Sequence, residues 1–153
     1  MAGVDGSGWL VTVARAGSPS PRAHLVCFAH AGGGPPAFAG WRSAECDIHA
    51  VQLPGRGRRI AEVPTTSLPQ IVGEVCAALA RILAADYRPC VLYGHSLGAY
   101  LAFEVARALS ATGTIAGLVV AGAPAPRLPS PERTGELDDS DFLGYVRDLG
   151  GTP

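Results

Sequence analysis

The sequence predicts an α/β fold built on a mostly parallel sheet. Three observations lead there. Short apolar runs closed off by Gly and Pro alternate with longer segments of helical period along the 153 residues. One of those segments places Leu68, Ile71, Val72, Val75, Leu79, Ile82 and Leu83 on a single helical face, as a helix covering a sheet requires. A third run, Pro89 to Tyr93, passes through Gly94-His95-Ser96-Leu97-Gly98 directly into another helix.

Each element follows in turn. Trp9 to Val13 alternates like an edge strand, and Leu25 to Ala29 reads as a more buried one that runs into Gly32-Gly33-Gly34. Ile48 to Leu53 is the next strand, stopped by Pro54-Gly55. Ser67-Leu-Pro-Gln70 has the spacing of a capping box at the start of the covering helix. The helix Ala99 to Leu109 is apolar nearly all round, with only Glu104 and Arg107 charged, so burial on most sides is expected. Ile115 to Ala121 is a further strand. Pro124, Pro126, Pro129 and Pro131 then break regular structure until Ser140 can cap a short helix bearing Phe142, Tyr145, Val146 and Leu149, ended by Gly150. The whole reads as one domain, with a core over about 9–127 and a separate segment over about 128–153.

Hydrophobic residues make up 48% of the chain and charged ones 16%, which predicts a compact globule with a substantial core. A net charge of −1 argues against nucleic-acid binding. Every basic residue is Arg, which with the many Ala, Gly and Pro suggests a GC-rich coding sequence. The cysteines Cys27, Cys46, Cys76 and Cys90 lack C-x-x-C spacing and three sit in apolar runs, the signature of buried thiols rather than a metal site or disulfide framework. The N-terminus lacks a basic stretch followed by an apolar one, and no apolar run reads as long enough to span a membrane, so a soluble cytoplasmic protein is expected.

The chemistry concentrates in three places. Gly94-His95-Ser96-Leu97-Gly98 between strand and helix is a nucleophile elbow, in which the sharp turn lifts the Ser96 hydroxyl off the sheet and the two glycines omit side chains that would collide with it. With 20 glycines in 153 residues, the bare pattern arises by chance in about one such chain in seven, so the flanking strand and helix carry the assignment. The second place is His30-Ala31-Gly32-Gly33-Gly34 after a strand, similar to the loops that offer a backbone N–H to an oxyanion; Ala31 and Leu97 are the two expected donors. Alone, that loop reads as a flexible glycine turn. The third is Pro54-Gly55-Arg56-Gly57-Arg58-Arg59, a basic turn at the strand end where α/β folds place ligands, and otherwise a solvated loop.

Together these motifs resemble the type II thioesterases of polyketide and nonribosomal peptide biosynthesis. The resemblance rests on Leu25-Val-Cys-Phe-Ala-His-Ala-Gly-Gly33, Trp41, Val51-Gln-Leu-Pro-Gly-Arg-Gly-Arg-Arg59, Tyr93-Gly-His-Ser-Leu-Gly-Ala99 and Leu149-Gly-Gly-Thr-Pro153, and runs from about Trp9 to the last residue. It implies an α/β-hydrolase fold. It implies hydrolysis of acyl groups from the phosphopantetheine arm of an acyl or peptidyl carrier protein, with Ser96 as nucleophile and no cofactor. Arg56, Arg58 and Arg59 would then face the carrier. Hydrolases of this fold place the nucleophile first, then Asp or Glu, then His, yet no histidine follows His95. His24, His30, His49 and His95 all lie at or before the elbow, and Asp138, Asp139, Asp141 and Asp148 fall where the family has its lid segment. The expectation is an N-terminal part of such an enzyme, without its last strands, triad acid and base, and therefore weakly active or inactive. An acyltransferase or a general esterase with a similar elbow, or a non-catalytic carrier- or acyl-binding module, are the competing readings.

Overall fold

The computed structural model describes residues 6–125 and 137–148. Strands β1 (Leu10–Ala14), β2 (Ala23–Phe28), β3 (Cys46–Val51), β4 (Cys90–His95) and β5 (Ile115–Ala121) form one sheet in the order β1-β3-β2-β4-β5. Only β1 runs antiparallel to its neighbour; the other pairings are parallel. Helices α1 (Leu68–Ala85) and α2 (Leu97–Ala108) connect the parallel strands. The chain divides into two compact parts, Met1–Ala123 and Pro124–Pro153. Of the second, helix α3 (Asp139–Asp148) is described. Pro126, Pro129, Pro131 and the segment Leu149–Pro153 lie outside the described residues.

Strand alternation splits the core in two. Val26, Phe28, Cys90 and Leu92 turn to one face and pack with Ile71, Val75 and Leu79 of α1 and Leu101, Ala102 and Val105 of α2. Cys27, Ile48 and Ala50 turn to the other and pack on Phe38, in a single 3-10 turn at Pro35–Phe38. Burial raises the Cys27 thiol to about 12 and that of Cys90 to about 11, so both are inert packing groups. On β5, Leu118, Val119 and Val120 are exposed.

Several expected details change. The box at α1 is half formed: the Ser67 hydroxyl accepts the Gln70 N–H at 3.4 Å, but Gln70 Oε1 accepts from Thr65 Oγ1 at 2.9 Å instead of returning to Ser67. Helix α3 is capped by Asp138, whose carboxylate accepts the Asp141 N–H at 2.9 Å, and not by Ser140, which is already inside the helix. Against the expectation, α1 does reach the length and apolarity that crossing a membrane takes; it packs on the sheet through Ile71, Val75, Ala78 and Leu79.

Strands β2 and β3 begin two residues earlier than the apolar runs suggest, because their first polar side chains are buried with partners. His24 Nε2 lies 3.0 Å from the Asp86 carbonyl oxygen, His24 Nδ1 lies 3.1 Å from His49 Nε2, and His49 Nδ1 lies 3.2 Å from Thr12 Oγ1. The carbonyl can only accept, so His24 Nε2–H donates to Asp86, and the two further contacts extend that bond through His49 to Thr12. Beside them Asp47 accepts from Arg88 at 2.6 Å, from Arg15 at 3.2 Å and from the Ala16 N–H at 2.8 Å, while Arg88 also pairs with Asp86.

This cluster makes stability depend on pH. Burial, aided by the nearby His24, lowers His49 from its ordinary 6.5 to about 4. Between those values the unfolded chain binds a proton that the folded chain refuses, so stability falls as pH drops from 6.5 towards 4. Burial opposes ionisation of Asp47, but the Arg88 and Ala16 hydrogen bonds outweigh it and bring the carboxyl from 3.8 to about 2. Its contribution is present above 3.8 and lost as pH falls through 2. Chemical denaturation at pH 7 and pH 4 should differ by on the order of 3 kcal/mol, and His49→Gln should flatten that interval while leaving the lower one.

Candidate active site

Ser96 occupies the junction between β4 and α2, with φ 54° and ψ −120°, the one non-glycine residue at positive φ among those described. A serine held there stores roughly 1–3 kcal/mol of backbone strain. Its surroundings impose the conformation. The Ser96 N–H donates to the Ala121 carbonyl at the end of β5 at 2.8 Å, and its own carbonyl accepts the Ala99 N–H at 2.9 Å. A Cβ on Gly94 would overlap the Gly98 carbonyl oxygen and come within 2.6 Å of Ala99 Cα. One on Gly98 would overlap the carbonyl oxygen of Phe28 and lie 2.6 Å from that of Ala29. The turn is thus pressed against the end of β2.

That contact brings two of the three sequence motifs together. The His30 loop leaves β2 immediately after Ala29 and closes with the Gly33 N–H on the His30 carbonyl at 3.0 Å; Ala31 and Gly32 are exposed, Gly32 at positive φ. His30 and His95 meet edge-to-face with ring centroids 6.3 Å apart. His95 also lies against Gly122, where a Cβ would come 2.6 Å from its Cε1. Leu97 is the first residue of α2, so its N–H belongs to the set that a helix cannot bond internally.

The basic turn is more tightly built than a solvated loop. Gln52, a buried residue that sequence reasoning missed, donates from Nε2 to the Arg56 carbonyl at 2.9 Å, and its backbone N–H donates to Trp9 at 2.8 Å. Arg59 donates to the Gln52 carbonyl at 3.1 Å and to both oxygens of Glu62 at 2.8 and 2.6 Å, with its guanidinium 4.6 Å above the Trp9 ring. Its cationic head is therefore occupied within the fold. Arg58 is exposed and borders a largely apolar cavity of about 370 Å³ with Val11, Val13, Pro35 and Pro36. Arg56 lines a second cavity, of about 290 Å³, with His30, Gly32, Gly34 and Gln52. Phe38, Trp41 and Tyr93 form an aromatic group behind the loop, with centroids 5.0 to 6.1 Å apart.

A strained serine at a strand-to-helix turn beside a glycine loop is equipped to present a hydroxyl and unbonded N–H groups to one carbonyl. The sequence family described as thioesterase domain matches residues 23–153. The chain belongs to the thioesterase-domain family. A curated relative of this thioesterase domain, the gramicidin S biosynthesis protein GrsT of Aneurinibacillus migulanus, is 37% identical over 135 residues, covering 84% of this chain and 52% of that protein. Among solved structures, the RedJ thioesterase of the prodiginine pathway in Streptomyces coelicolor is 36% identical with a TM-score of 0.75, covering 90% of this chain and 53% of RedJ. YbtT, a type II thioesterase of the yersiniabactin pathway, is 32% identical with the same TM-score, covering 95% and 59%. The thioesterase domain thus shares the α/β fold of these enzymes, and spans about half the length of the curated relatives it matches.

Proposed function

We propose that the thioesterase domain hydrolyses acyl thioesters held on the phosphopantetheine arm of an acyl or peptidyl carrier protein. Ser96 is the nucleophile, and the N–H groups of Ala31 and Leu97 bind the oxyanion. The observation that carries this reading is the strained backbone of Ser96, held between β2 and β5 beside the His30 loop. Strain of this kind is kept where an exposed nucleophile needs it. Ser96 Oγ attacks the thioester carbonyl and gives its proton to a base; the carrier thiol leaves with a proton, and water releases the acyl group from Ser96. No histidine follows His95 in the 153 residues, so the later histidine base usual in this chemistry is not among them. Arg56 and Arg58 face the acidic carrier. Four free cysteines, Cys27 and Cys90 fully buried, fit a reducing cytoplasm.

A carrier protein bearing a non-hydrolysable acyl-phosphopantetheine amide should bind the thioesterase domain with an affinity that falls as salt rises. Ser96→Trp, which fills the elbow, should weaken binding by about tenfold, since one lost anchor contact is worth roughly that much. Equal binding of the loaded carrier to wild type and Ser96→Trp, measured by calorimetry, would remove Ser96 from the substrate site.

A further inference from the structure

We propose that loop 54–64 is the surface on which the carrier protein docks, with Ile60 and Val63 as apolar anchors and Arg58 as the cation that meets a carboxylate of the carrier. The inference rests on the thioesterase reading and names the part of the chain that takes the partner. Its starting point is exposure. Val63 is 87% exposed and Ile60 71%, two of the three most exposed large hydrophobic side chains among the described residues. Single apolar side chains scattered over a surface need no explanation, but two within one short loop beside a free cation do.

The loop is fixed in advance. Gln52 holds the Arg56 carbonyl, the Arg59 N–H returns to that same carbonyl at 2.8 Å, and the Arg59 carbonyl accepts the N–H groups of Gly55 at 2.9 Å and Glu62 at 3.0 Å. Its two ends touch: a Cβ on Gly55 would lie 2.5 Å from Pro64 Cγ. None of these contacts uses the side chains of Arg58, Ile60 or Val63, so all three are presented to solvent by a backbone that is already ordered. Docking on such a surface carries a low ordering cost.

Charge and place decide which partner fits. Arg59 engages both carboxylate oxygens of Glu62, whereas Arg58 is exposed and makes no hydrogen bond or ion pair among the described residues. The loop therefore offers one free cation and no free carboxylate, so a second copy of the chain brings nothing to pair with it. A lipid surface is usually met by clusters of about four to eight basic residues, more than the loop has. An acidic protein surface that carries an apolar side chain answers both the charge and the anchors. The position suits a carrier as well. Arg56 and Gly57 of the loop share a cavity with His30 and Gly32, so a protein seated here lies beside the loop assigned to the oxyanion, where its arm has to deliver the thioester.

Calorimetry on the 153-residue chain tests the proposal with an acyl carrier protein and a peptidyl carrier protein, each loaded as its propionyl-phosphopantetheine amide, and with the same amide free of protein. Ile60→Ser combined with Val63→Ser is expected to weaken binding of the better carrier by about tenfold, as loss of anchor side chains does, and to leave the free amide and the far-ultraviolet spectrum unchanged. Arg58→Gln should lower carrier affinity at low salt and matter little at high salt. Tyr87→Ser removes a side chain of similar exposure, 74%, just ahead of β4 at the opposite end of the sheet, and should change neither. Undiminished carrier binding by the double variant overturns the docking surface and leaves the thioesterase reading intact. An equal loss for the free amide overturns it also and assigns the loop to the arm. If the double variant instead alters only sedimentation of the chain, or only its binding to phosphatidylserine vesicles, the patch belongs to a second copy or to lipid and the proposal fails. A wild type that binds the free amide but neither loaded carrier overturns the docking surface alone, and one that binds none of the three probes overturns the thioesterase reading with it.

Discussion

Gly98→Ala is expected to abolish the native fold or to lower its stability by at least about 3 kcal/mol, the upper range for overpacking. The added methyl meets main chain, the Phe28 and Ala29 carbonyl oxygens, and not the tip of a side chain that could swing aside. Relief would require moving β2 away from α2, and Phe28 on β2 is fully buried in the core those elements share. Gly73→Ala supplies the control. Gly73 lies inside α1 with nothing within 4 Å of a Cβ, so alanine there should stabilise by roughly 0.5–1 kcal/mol through helix propensity. Urea melts of both variants check the pair. Two glycine-to-alanine changes that move stability in the same direction would remove the packing argument for the elbow.

The second large effect concerns turnover. The 153-residue chain by itself should hydrolyse acyl thioesters very slowly, because removal of a serine-protease triad costs on the order of 10⁶ in turnover while oxyanion donors and binding keep roughly 10³ to 10⁴ over water. On the proposed assignment Ser96 and the His30 loop would supply that residue of activity; no histidine follows His95 in the 153 residues to act as the imidazole base. Supplying a thioesterase segment that carries the later Asp and His, fused or in trans, should restore hydrolysis, and Ser96→Ala should then abolish it. Release of free thiol from an acyl-carrier substrate, followed with a thiol reagent, measures both. Substantial Ser96-dependent turnover by the chain alone would refute this and would direct attention to His30 or His95 as the base.

The elbow was legible because its chemistry is local. Strand, turn and helix occupy consecutive residues, and Gly94 and Gly98 mark the two points where main chain meets main chain. Strand and helix limits were legible to within about two residues for the same reason. The Thr12–His49–His24–Asp86 relay was not, since it joins four elements through side chains and leaves no periodic trace. The one available signal was the presence of His24, Asp47 and His49 inside or beside apolar strands. The basic turn misled in part. Three arginines in a row of four residues look equivalent, but Arg59 finds Trp9 fifty residues upstream and Arg56 finds a cavity. Gln52 went unnoticed because its role is visible only in the carbonyl it holds.

The support of Ser96 by Ala121 and by the end of β2 has a kinetic side. The parallel strands have no hairpins, so every pairing that fixes the elbow closes a long loop, and such topologies order late. A strained backbone survives only while its neighbours over-determine it. Loss of the β5 contact is therefore expected to let Ser96 relax to an ordinary conformation. The geometry on which the proposed nucleophile depends is thus a property of the docked sheet and not of β4 and α2 alone.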